Sequence, residues 1–78
     1  MEQITRKQVQ LMGSAPTYEG LESLIKEKMY WKEVKTEPST RFSARWHGTT
    51  YDVFNAKGLV SSMIIVECKG RWCLYSIK

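Results

Sequence analysis

His47, Asp52, Cys68 and Cys73 are the side chains through which this chain could do covalent or metal chemistry. His47 and Asp52 have the types for an acid–base pair, but the pattern sets no evident nucleophile in line with them. Cys68, Cys73 and His47 are soft ligands that zinc accepts, yet their spacing matches none of the known zinc patterns. No glycine-rich phosphate loop occurs and no carboxylate pair shares one scaffold face. The sequence therefore predicts no catalytic residue, no metal site and no cofactor: a binding protein rather than an enzyme.

The arginines suggest binding chemistry instead. Arg41-Phe42-Ser43-Ala44-Arg45-Trp46 alternates polar and apolar, and after His47-Gly48 the run Thr49-Thr50-Tyr51-Asp52-Val53-Phe54 alternates again. Such a pair of runs predicts a β-hairpin. With Trp46 opposite Thr49, Arg41 and Arg45 share one face, His47 sits near the tip and Phe54 lies beside Arg41. Guanidinium groups at that spacing fit phosphates or a carboxylate-rich surface, and an adjacent aromatic ring can stack on a base. The ordinary alternative is a solvated face that Asp52 partly neutralises. Arg41, Arg45, His47, Phe54, Lys57, Lys69, Arg71 and Trp72 form the candidate partner-binding set.

These residues need elements to hold them. Thr5 and Gln8 have capping-box spacing, with Ile4 and Val9 as a hydrophobic staple, and Gly13 follows as a stop. That predicts a short helix over 6–12. Thr17 caps a second helix over 18–31, with acids early, lysines late, and an apolar stripe of Leu21, Leu24, Ile25 and Met29. Pro38 forbids a helix through the polar segment 35–40, which reads as a connector. Strands are predicted over 41–46, 49–54, 59–68 and 71–77, the last two joined by the two-residue turn Lys69-Gly70.

The fold class expected is α+β: two N-terminal helices packed on one face of a four-stranded antiparallel β-meander, all within a single domain of residues 1–78. Two helices followed by a hairpin also outline a winged helix-turn-helix. Glu19 and Glu22, however, would meet phosphates at the start of its recognition helix, and no third helix is present. In the last hairpin Ile64, Val66, Cys73 and Tyr75 share one face, and Met63, Ile65, Trp72 and Leu74 share the other. One face lies under the helices. The second is an exposed apolar patch unless the chain closes over it, and it offers a homodimer contact or a foreign interface.

Length and charge bound the rest. Seventy-eight residues bury about 60–65% of the unfolded surface, a thin margin. The net charge of +4 suits a nucleic acid or an acidic protein surface. Two cysteines do not form a disulfide framework, and with no leader or apolar span in view they suggest a reducing, cytoplasmic setting without membrane contact. The function expected is protein–protein interaction. The style is that of a phage or mobile-element inhibitor or modulator of host machinery. The alternative is a DNA- or RNA-binding module that uses a basic hairpin face.

Overall fold

The structure, a computed structural model, describes residues 1–78. Its order is β1 (Glu2–Gln3), a 3-10 turn (Arg6–Gln8), β2 (Val9–Ala15), α1 (Tyr18–Met29), β3 (Val34–Pro38), β4 (Phe42–Ser43), β5 (Thr50–Asn55), β6 (Val60–Cys68) and β7 (Arg71–Ile77). Five strands make one antiparallel sheet in the order β2-β7-β6-β5-β3, and β1 pairs with β4 in parallel. The expected two helices on a four-stranded meander are thus corrected to one helix on a five-stranded sheet, with a small second sheet.

The helix over 6–12 is the first correction. Thr5 N–H and its hydroxyl both donate to Gln8 Oε1 at 3.0 and 3.1 Å, but this capping closes only a 3-10 turn. Beyond it Val9 enters β2, which pairs with β7 from Val9 opposite Ile77 to Ala15 opposite Trp72. A seven-residue helix gains little cooperativity, and a full ladder against a central strand outcompetes it. Gly13 is not a helix stop. It lies within β2 just after an irregularity in the ladder, and its missing side chain makes room for Leu24 of the helix.

The hairpin of 41–46 with 49–54 is the second correction. Ser39 is buried, and its Oγ accepts from the N–H groups of Arg41 and Phe42 at 3.2 and 2.8 Å. This bend lifts the chain off the sheet. Residues 42–43 then pair with the N-terminus, with Ile4 N–H donating to Ser43 O at 2.7 Å. β5 takes β3 as its partner instead, with Val34 opposite Asn55 and Pro38 opposite Tyr51. β3 reads as a loop in sequence because it is an edge strand, where polar residues and proline are tolerated.

Helix α1 begins where expected, with Thr17 Oγ1 accepting from Gly20 N–H at 3.1 Å. The last hairpin also follows the sequence. Glu67 faces Trp72, Val66 faces Cys73, and Lys69 and Gly70 both have positive φ (50° and 81°), as a type I′ turn requires.

Each face of the sheet carries its own core. Leu21 and Ile25 of α1 pack on Val53, Met63, Ile65 and Leu74. On the other side Ile4, Val9 and Ala44, with Phe42 and Trp46, cover Ile64 and Val66. The apolar face that the sequence leaves without a helix is therefore lidded by the chain's own first residues and the 42–47 excursion. Trp46 fastens that lid by donating its indole N–H to Ile4 O at 3.0 Å.

Candidate functional site

The sequence-predicted residues fall into four separate places. Arg41 is in the middle, and it is spent on the fold. Its guanidinium donates to both carboxylate oxygens of the buried Asp52 at 3.4 Å and to Ser61 O at 3.2 Å, and it lies 4.8 Å from the Phe42 ring. Arg45 stands exposed in the turn that the Ala44–Gly48 bridge closes. The two arginines do not share a strand face, because the hairpin that would align them is not formed.

One end of the sheet gathers His47, Lys69 and Arg71. His47 contacts the Trp46 ring at 4.1 Å between centroids and is near-parallel to Tyr75 at 6.2 Å. Arg6 from the 3-10 turn lies 5.4 Å from the centre of the Trp46 ring. Arg6, Val9, Trp46, His47, Cys68 and Tyr75 line a cleft of about 320 Å³. No acidic residue lines it. Burial, then the positive charges of Arg6 and Lys69, hold the His47 pKa below the ordinary histidine value. Arg71 is opposite Cys68 and donates to Ser14 Oγ at 3.4 Å. Cys68 and Cys73 are both free thiols, and burial and the neighbouring Cys68 push the Cys73 thiol up. No three metal-ligating side chains are gathered anywhere.

Trp72 belongs to the helix face instead. It packs edge-on against Tyr18 at 4.9 Å and Tyr51 at 5.7 Å, so it is a half-buried wall of the core rather than a free contact. Burial pushes the Tyr18 phenol up to about 12, with the charge of Glu22 adding to it.

The opposite end holds Lys57 and Phe54. Phe54 is half-buried and pairs with Lys35 and Val60 across its two neighbouring strands. Lys57 lies in the β5–β6 turn, which Asn55 organises: its Oδ1 accepts from Lys57 N–H at 2.9 Å and from Leu59 N–H at 3.1 Å. This turn holds Leu59 out into solvent at 63% exposure, next to the end of α1. There Tyr30 is 91% exposed and adopts a left-handed conformation (φ 56°). Tyr30, Trp31, Lys32, Lys57 and Leu59 line one groove.

Sequence reasoning missed Arg6, Trp46 and Tyr75 at one end and Tyr30 and Leu59 at the other. The sequence pattern puts Arg6 in a helix, Trp46 at the end of a strand and Tyr75 on one face of the last hairpin. Tyr30 carried one usable signal, since it falls off the Leu21–Ile25 stripe. Comparison with protein-family models, with curated protein sequences and with solved structures finds no match for this chain.

Proposed function

We propose that this chain is a small non-enzymatic binding protein that blocks or modulates a protein partner through the groove of Tyr30, Trp31 and Leu59. The observation that supports this reading is Tyr30. Helices usually end on glycine in the left-handed conformation, because a side chain there costs roughly 1–2 kcal/mol. Tyr30 accepts that cost and recovers nothing inside the fold, since its ring is almost wholly exposed. Backbone strain of this kind concentrates where a contact outside the chain uses it. Leu59 is equally unspent and is held in place by a hydrogen-bonded turn, which lowers the ordering cost of binding. Tyrosine and tryptophan are the residues enriched among binding hot spots. Lys32 and Lys57 border the groove, so the partner surface is apolar at its centre and acidic at its rim.

The test uses a photo-cross-linker at position 59 of the full chain to trap the partner, followed by affinity measurement with the purified pair. Tyr30→Gly should weaken binding by about tenfold or more, a typical hot-spot loss, while making the isolated protein more stable by about 1 kcal/mol. Unchanged affinity in Tyr30→Gly with Leu59→Ser, or a partner trapped only from other positions, would refute it.

A further inference from the structure

A second site lies at the opposite end of the sheet, and it is argued from observations independent of the Tyr30 groove. We propose that the cleft between the 3-10 turn, the 44–48 turn and the β6–β7 hairpin binds single-stranded nucleic acid, with Trp46 and His47 offering the stacking surface and Arg6 and Lys69 taking the phosphates.

The charge pattern comes first. The cleft is lined by Arg6, Val9, Trp46, His47, Cys68 and Tyr75, without a carboxylate among them. The charges felt by His47 are Arg6 and Lys69, both positive. Neither Arg6 nor Lys69 is engaged in a salt bridge, and both are exposed. None of the chain's eight acids lines the cleft: Glu2 is in β1, Glu19, Glu22 and Glu27 are on α1, Glu33 and Glu37 lie around β3, and Asp52 is against Arg41. Glu67 pairs with Trp72 and so faces the helix side of the sheet. An anion entering the cleft meets Arg6 with no carboxylate in the lining beside it.

The aromatic arrangement then selects among anions. Trp46 is fixed by its indole hydrogen bond to Ile4 O and by edge contact with Tyr75 at 5.6 Å. His47 and Tyr75 already lie nearly parallel, with an interplanar angle of 26°. Their separation leaves no slot for a third ring, and Trp46 and His47 meet edge to face at 66°, so a base lies on one of these two half-exposed rings instead of between two rings. Every base presents such a face when unpaired, whereas a duplex hides it. Arg6, stacked on Trp46, stands at the rim where a phosphate attached to that base would pass. Lys69, at the rigid hairpin tip, stands at a second position. Rigid aromatics interleaved with free cations are the features of sequence-tolerant strand binding. An acidic peptide would satisfy the cations but leave the ring faces unused.

The experiment is fluorescence anisotropy of the full chain with a labelled oligothymidylate, across a salt series. The comparisons are a duplex, an abasic oligomer of the same length, and polyglutamate. The strand should bind, the abasic oligomer should bind at least about fivefold more weakly, and the Trp46 indole N–H resonance should shift. Arg6→Gln with Lys69→Asn should lower affinity about tenfold or more. It should also reduce the slope of log affinity against log salt by about 1.4, two contacts at about 0.7 each. Both positions are exposed and asparagine suits the left-handed turn, so the variant keeps its fold. Equal binding of strand and abasic oligomer, tighter binding of polyglutamate, no shift at Trp46, or an unchanged variant would each overturn the assignment.

Discussion

Replacing Gly13 with alanine tests how tightly α1 is seated on the sheet. The added Cβ would fall well inside van der Waals contact of Leu24 Cδ2, with Leu24 Cγ at 3.6 Å and Lys28 Cε at 3.9 Å. Carbon atoms pack at about 3.5–4.0 Å, so the Leu24 side chain must rotate or α1 must shift. Inserting a methyl group into a packed contact costs about 1–3 kcal/mol. Leu24 is half-buried and has solvent to swing toward, which places the clash near about 1–2 kcal/mol. Against this, alanine restricts the unfolded chain and returns about 0.4–1 kcal/mol where the backbone tolerates it. Gly13 has no left-handed φ, so it qualifies. Gly13→Ala should therefore destabilise the protein by about 0.5–1.5 kcal/mol. In a Leu24→Ala background the clash disappears, and the same change should stabilise by about 0.4–1 kcal/mol. Urea unfolding of the four proteins measures the coupling, expected at about 1–2 kcal/mol. If Gly13→Ala has one effect in both backgrounds, glycine is not at this position to admit Leu24.

Three further outcomes follow from the geometry. Arg41→Ala leaves the buried Asp52 carboxylate and Ser61 O without their donor. At 3.4 Å and half exposed, the pair should cost about 1–2 kcal/mol in urea unfolding when broken, and a loss below about 0.5 kcal/mol would make it an ordinary surface contact. The folded-state pKa of His47 is lowered, so the unfolded chain takes up that proton first. Stability should fall as pH drops below about 6.5, and thermal melts of His47→Gln should lack that component. The phenol of Tyr18 is raised to about 12, so the folded state holds its proton longer than the unfolded one. Stability should decline as pH rises above about 10 toward 12, and Tyr18→Phe should remove that part of the decline, read by phenolate absorbance and circular dichroism.

What was legible depended on whether a segment's neighbours were close in sequence. Helix α1, its Thr17 cap and the Lys69-Gly70 hairpin are set by residues within one turn or one loop, and they stand where the patterns put them, except that the helix stops at Met29 rather than residue 31 because Tyr30 turns left-handed. Even the division of Met63 to Val66 between two faces followed from alternation alone. The other misreadings were long-range. Val9 to Met12 looked helical because its capping signal is local, while its partner β7 lies at the far end of the chain. Arg41 to Trp46 alternates like a strand, yet the buried Ser39 bends it away and β5 finds β3 instead. The two candidate sites suffered accordingly. Lys57, His47 and Lys69 were visible as charges in turns. Arg6, Trp46 and Tyr30 acquired meaning only once distant elements met.

The central strand β6 carries Met63, Ile64, Ile65 and Val66, all buried, with two residues serving each core. Outside this fold the same run has the composition of an amyloid-forming segment: apolar, β-branched from Ile64 to Val66, uncharged and free of proline. Flanking strands β5 and β7 occupy its backbone edges, and α1 covers one side. The other side depends on Ile4 and Val9 from the first residues and on Ala44 from the excursion. The lid over Ile64 and Val66 is therefore also a guard against self-assembly. Trimming the first eight residues would convert a covered surface into a sticky one, and the damage would show as fibre formation before it showed as lost binding.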